Sequence, residues 1–274
     1  MIRKATEQDI PALKTLAAEA FGDTPAFCEL SFRTFAGIDN IWLDDEDGAA
    51  AMALAVSVTL NDKPGAYLYS VATRRALRGS GRMTALLESI KRYGEEQGWA
   101  FLCLLPASDS LFEFYAQRGF ETAFYRQEYT VPIRRNLLAT AEFDDVTVAL
   151  LPQLRKKLCS VPAVTLHQQG LVAVLTDYYS SGGCSVRNEG AYGFFRVEED
   201  TLHFDEFFAR DDRAAAALLQ ACREKTGCTS ARILASDGGL TCYGSGRRKA
   251  YGMWYLFGEK PPVREGYIGM MLDL

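Results

Sequence analysis

Histidine is scarce in this chain of 274 residues: only His167 and His203 occur, far apart in sequence. A histidine-built metal site or a Ser-His-Asp triad would have to be assembled from very little. The cysteines, at 28, 103, 159, 184, 222, 228 and 242, are odd in number and include no Cys-x-x-Cys pair. That argues against a disulfide scaffold or a zinc ribbon and for reduced thiols in a cytoplasmic protein, and no metal is expected. No apolar run approaches the roughly eighteen residues of a membrane helix, and the run 49–60 is broken by Ser57 and Thr59. The opening residues, Met1-Ile2-Arg3-Lys4-Ala5, carry no apolar signal region, so neither export nor a membrane partner is expected. An excess of positive charge is missing as well. The net charge of −5 argues against nucleic acid as partner and is compatible with a cationic amine.

What is there begins with residues 66–87, around which the chain is organised. Ala66 to Ala72 alternate aromatic and aliphatic residues behind Pro64-Gly65 and read as a strand. Met83, Leu86, Leu87, Ile90 and Tyr93 fall on one side of an amphipathic helix. Between them lie Arg74, Arg75, Arg78 and Arg82 and the Gly79-Ser80-Gly81 turn. A strand, an arginine- and glycine-bearing turn and a helix start build an anion site. The first N–H groups of a helix lack intrahelical partners, and the helix dipole adds positive potential there. Glycines let an anion approach the backbone without a Cβ in the way.

Arg78-Gly79-Ser80-Gly81-Arg82-Met83 resembles the Gln/Arg-x-x-Gly-x-Gly/Ala pyrophosphate signature of the GNAT superfamily, the acetyl-CoA-dependent N-acyltransferases. Downstream, Phe114-Tyr115-Ala116-Gln117-Arg118-Gly119-Phe120 is similar to that family's second signature, Leu-Tyr-x-x-x-Gly-Phe. Met83 departs from the small residue usual at its place; a bulky residue there is similar to the tandem-GNAT branch that includes the enhanced-intracellular-survival acetyltransferases. The resemblance covers the first half of the chain. It implies an α/β (α+β) GNAT fold, a mixed central sheet flanked by helices, with acetyl-CoA as co-substrate. Cofactor contacts then fall on Val71, Thr73, Arg78, Gly79, Ser80, Gly81, Arg82 and Met83. Ser108 stands where many relatives carry an asparagine that contacts the pantetheine arm. A backbone N–H near Val71, left free where the strand splays from its neighbour, would polarise the thioester carbonyl. Tyr115 would be the acid that protonates the departing thiolate, since a phenol titrates near 10 and a thiol near 8.5. The general base stays open among Glu29, the acids of 44–47 and the Leu274 carboxylate, with Glu19 a further carboxylate near the acceptor wall.

Two domains are expected, 1–135 catalytic and 136–274 a degenerate GNAT-like copy without a CoA motif. In the first, Thr6 caps a helix carrying Ile10, Leu13, Leu16 and Ala17, with Gly22 as its stop. A second helix runs over 25–35, and strands over 41–43, 50–60, 66–72, 99–105 and 120–131. In the second, helix 171–179, a hairpin of 192–197 with 202–208, a helix capped by Asp211-Asp212 and strand 231–235 repeat the strand-strand-helix-strand order. Its turn, Arg210-Asp211-Asp212-Arg213, lacks glycine and carries two carboxylates, which would repel a pyrophosphate. Gly244-Ser245-Gly246-Arg247 echoes the first turn but leads into a strand, and so reads as a hairpin turn. The activity expected is acetyl transfer to a small-molecule or peptide amine. A non-catalytic acyl-CoA-binding module and an aminoacyl transferase are the alternatives. The oligomeric state, including a homodimer, stays open.

Overall fold

The computed structural model describes all residues except 47, 237–239, 241–243, 245, 259–265 and 270–274. Contacts gather the chain into two compact units. One holds Met1–Thr122, Val164–Ala173 and Gly252–Pro262; the other holds Ala123–Ala163, Val174–Tyr251 and Val263–Leu274. The leading segment of the first unit ends at Thr122, and that unit takes back two later segments. The reason lies in strand pairing: residues 126–132 already bond to Ser230–Ser236 of the second unit.

The first unit opens with β1 (Ile2–Lys4), a 3₁₀ turn at Glu7–Asp9 and α1 (Ile10–Phe21). Asp9 accepts the Thr6 backbone N–H at 2.8 Å and the guanidinium of Arg3, which fixes the turn ahead of α1. Leu13, Leu16 and Ala17 are the buried face of α1, and Gly22 ends it in the left-handed region. The expected helix 25–35 is α2 (Pro25–Glu29), capped by Thr24, running into π-helical turns over Leu30–Ala36. β2 (Ile41–Asp45), β3 (Ala49–Leu60) and β4 (Lys63–Thr73) follow as an antiparallel meander. Asn61 and Asp62, with φ of 49° and 60°, make the two-residue turn that joins β3 to β4. Pro64 and Gly65 therefore lie inside β4 and do not bound it. α3 (Arg82–Glu96) crosses over to β5 (Phe101–Leu104), which pairs parallel to β4, and α4 (Asp109–Ala116) follows. Leu86, Leu87 and Ile90 of α3 pack with Ala53, Ala55, Ala66 and Leu68 in one core.

The second unit is built from β6 (Glu121–Pro132), β7 (Glu142–Phe143), α5 (Leu151–Leu158), β8 (Thr165–Leu166), α6 (Gln168–Ser180), β9 (Cys184–Arg187), β10 (Ala191–Glu198), β11 (Thr201–Ala209), α7 (Asp212–Thr226), β12 (Ser230–Ser236) and β13 (Arg247–Leu256), less the parts that belong to the first. Those parts are Glu121 and Thr122 of β6, β8, which pairs with β3, the start of α6 up to Ala173, and the end of β13, whose Met253–Leu256 pair with β5. Within the second unit the strand order is β6-β12-β11-β10-β9-β7. β11 and β12 are parallel and joined through α7, so β10, β11, α7 and β12 repeat the order of β3, β4, α3 and β5. Of the Gly244–Arg247 echo, Ser245 lies outside the described residues, and Arg247 begins a strand as expected. No helix among the described residues is long and apolar enough to cross a membrane.

Candidate functional site

β4 is irregular where it approaches α3. Its pairing with β3 runs Leu54 to Tyr69 and then Met52 to Ala72, so Ser70 and Val71 together face the single residue Ala53. This is a β-bulge, and Ser70 holds φ +46°, a region costly for a residue with a Cβ. On its other edge β4 pairs with β5 only from Gly65 to Tyr67, against Phe101 to Cys103. From Leu68 to Thr73 no strand flanks that edge among the described residues. A Cβ on Gly65 would come within 2.5 Å of the Phe101 carbonyl oxygen, so the two strands touch closely just before they part. The family resemblance implied the splay near Val71; the bulge beside it comes from register against β3 and was not legible beforehand.

The turn after β4 is a 3₁₀ turn at Arg75–Leu77, followed by Arg78 to Gly81. Gly79 and Gly81 have φ of 78° and 83°, which accounts for both glycines. A Cβ built on either meets nothing within 4 Å, so the turn faces open space. Gly81 is the N-cap of α3, and no side chain among the described residues caps that helix start. Room for an anion and uncapped N–H donors are the two features that a pyrophosphate requires. Ser80 Oγ donates to the Leu77 carbonyl at 2.6 Å and Arg78 Nε to the Thr73 carbonyl at 3.2 Å, which brace the turn internally. Glu19 of α1 accepts the Arg75 backbone N–H at 2.6 Å, so its carboxylate belongs to the turn's support.

The four arginines divide. Arg82 is held by Asp44 at 2.7 Å and by Glu46, so its charge is compensated on the β2–β3 side. Arg74 donates to the Ala49 carbonyl at 3.2 Å. Arg75 and Arg78 are exposed and carry no ion pair among the described residues. Met83 and Val71 pack at the margin of the core that holds Tyr115. Ser108 is the N-cap of α4, with its Oγ 3.0 Å from Ser110 Oγ.

Tyr115 is buried on α4, with edge-on contacts to Phe114 and Phe120 at 5.2 and 5.6 Å. Burial pushes its phenol up to about 12, opposed weakly by Arg118. It therefore carries its proton at every working pH, but lies about three pK units above an ordinary thiol. The proposed bases are committed elsewhere. Glu29 is bound by Lys14 and by Arg33, which lower its pKa against a small cost of burial. Asp44 loses some ionisation to burial, yet Arg82 and the Met1 ammonium hold it below the usual carboxylate range. Asp45 pairs with Arg3 at 2.7 Å and Glu46 with Arg82. Asp47 and Leu274 lie outside the described residues.

In the second unit the equivalent helix start is closed. Asp211 caps α7, its carboxylate accepting the Ala214 N–H at 2.8 Å. The chain's own anion occupies the donors that a phosphate would need.

Residues 1–123 match the acetyltransferase (GNAT) domain family. Among solved structures, a probable N-acyltransferase from Enterococcus faecalis V583 is similar, at 19% identity and TM-score 0.71, over 93% of this chain and 72% of that one. Eis1 from Mycobacterium abscessus is similar at 14% identity and TM-score 0.72, over 93% and 73%. A putative acetyltransferase from Pyrococcus horikoshii aligns over 99% and 95%, at 15% identity and TM-score 0.60. At these identities the likeness speaks to fold. No protein of curated function matches the chain. Together these matches define the fold class, a mixed α/β sheet flanked by helices as in the GNAT acetyltransferases. By sequence, residues 1–123 belong to the GNAT acetyltransferase domain family.

Proposed function

We propose that the first unit moves an acetyl group from acetyl-CoA directly to a primary amine of a small molecule or peptide. The observation that carries this is the uncapped, glycine-opened start of α3 directly after a bulged strand that parts from its neighbour. Gly79 to Met83 would hold the pyrophosphate on backbone N–H groups, with Arg78 and Arg75 adding charge. Val71 and Thr73 would line the path of the thioester along β4, and Ser108 would offer one hydrogen bond to the pantetheine arm. The bulge at Ser70-Val71 re-aims backbone there, as a donor to the developing oxyanion requires.

The amine attacks the thioester carbon, the carbon–sulfur bond breaks, and the amine loses the one proton that the sulfur gains. Tyr115, too basic when ionised to give its proton away outright, suits a relay. Its hydroxyl donates to the departing sulfur while receiving the amine's proton, so the phenol never ionises and no carboxylate base is consumed. That fits the engagement of Glu29, Asp44, Asp45 and Glu46 in ion pairs. The same observation supports the alternative, an acyl-CoA-binding module without turnover. Release of free thiol from acetyl-CoA across an amine panel decides between them. Tight CoA binding with no turnover on any amine would favour the module.

A further inference from the structure

The outer edge of β3 is covered twice, and a gap lies between the covers. β2 pairs along it up to Leu54, and β8 pairs again from Val58. Because β4 occupies the other edge throughout, residues 55–57 face no strand on the outer side among the described residues. The window spans about 10 Å at 3.3 Å per residue. A cavity of about 310 Å³ opens there, lined by Phe35, Ala36, Asn40, Val56, Ser57, His167, Gln169 and Gly170. Asn40 stands immediately before β2 and His167 immediately after β8, one at each end of the gap. His167 and Gln169 come from the later segment that the first unit reclaims, so the cavity exists only because Val164–Ala173 returns to this sheet.

Its chemistry is selective. An imidazole, two amides and a hydroxyl line it over a floor of Phe35, Ala36 and Val56, and no carboxylate, lysine or arginine takes part among the described residues. Such a lining hydrogen-bonds neutral polar groups and offers a formal charge no counterion. Its position is equally specific. Val56 lies three residues, or about 10 Å, along β3 from Ala53, the residue facing the Ser70-Val71 bulge, and the cavity opens on the edge of β3 away from β4, so its distance from the bulge is greater still. That is too far for His167 to act on the reacting carbonyl and suits a group at the remote end of an acceptor. We propose that this cavity is the distal acceptor subsite, taking an uncharged amide or polyhydroxyl tail remote from the amine that is acetylated, with His167 and Ser57 as its specificity residues. This rests on the acetyl-transfer reading above.

The test compares glycinamide, which is too short to reach, with an uncharged tripeptide amide and N-(3-aminopropyl)gluconamide. The two long amines are expected to have the higher kcat/KM. His167→Ala and, separately, Ser57→Val are expected to cut the preference for them over glycinamide about three- to tenfold, the range for one lost neutral hydrogen bond. Both side chains are exposed, so either variant keeps the fold. A second readout needs no turnover. With only two histidines, imidazole NMR signals are assigned by His203→Gln, and those of His167 should shift when the gluconamide is added to the CoA-bound protein. Unchanged preference in both variants, or a shift at His203 instead, overturns the subsite while acetyl transfer stands. Absence of turnover on every amine despite bound CoA overturns the transferase reading, and the subsite with it.

Discussion

Arg155 and Glu206 form a buried ion pair inside the second unit, with Nη2 2.6 Å from Oε2 and side chains 5% and 0% exposed. Glu206 also accepts the hydroxyls of Tyr192 at 2.6 Å and Tyr267 at 2.7 Å, while Arg155 donates to the Gly269 carbonyl at 3.0 Å. Each carboxylate oxygen thus has two donors, the condition under which a buried charge is tolerable. Burial first, and then the Glu206 charge, push both phenols up, so they remain neutral donors. Glu206→Gln leaves the guanidinium uncompensated and should cost about 3–5 kcal/mol. Adding Arg155→Met should cost less than the sum of the single changes. Urea unfolding of the set measures this, and strict additivity would mean the pair is not coupled.

Tyr115 gives a prediction in activity and in pH. Tyr115→Phe should keep CoA affinity and lower turnover about 10²-fold or more. Its folded pKa of about 12 exceeds the ordinary value near 10, so burial of the neutral phenol stabilises the fold fully below pH 10. That contribution fades as pH climbs from 10 towards 12. No limb of the pH–rate profile below pH 10 should therefore disappear in Tyr115→Phe. A lost limb near neutrality would assign the residue a different protonation state.

The arginines of the turn should separate by function. Arg78 is exposed and without an ion pair among the described residues, whereas Arg82 is bound by Asp44 and Glu46. Arg78→Ala should raise the KM for acetyl-CoA about tenfold and flatten its salt dependence, through loss of a charge-assisted contact. Arg82→Ala should act mainly on thermal stability, by freeing two carboxylates beside the β2–β3 connection. Equal KM effects from both variants would show that Arg82 leaves its partners to bind the cofactor.

Much of this was legible in the sequence because it is local. The Thr6–Asp9 turn, the Gly22 stop and the Asp211 cap each depend on neighbours within a few residues. The run from Ala66 to Leu87 announced its strand, turn and helix for the same reason. What was not legible is non-local. The Ser70-Val71 bulge depends on register against β3, and Pro64-Gly65 read as a boundary although the Asn61-Asp62 turn places them within β4. The division after Thr122 depends on which strand residues 126–132 choose as partner. His167 read as a lone histidine because its neighbours in the cavity come from residues 35–57, more than a hundred positions away. The ion pairs that engage Glu29, Asp44 and Asp45 likewise join distant segments or successive helical turns, which composition does not reveal.

The central claim is that one helix start of this chain, that of α3, holds the CoA pyrophosphate. Gly81 leaves that start open, while Asp211 closes its counterpart in α7. Calorimetric titration of CoA into the intact protein, Gly81→Glu and Asp211→Ala tests it most directly. The account predicts one site per chain, abolished by Gly81→Glu, where a new carboxylate would compete for the same N–H groups. Asp211→Ala should leave the stoichiometry at one and cost only about 1 kcal/mol of stability, the worth of a lost cap. Two sites per chain, or one site that binds CoA equally well in Gly81→Glu, would contradict it.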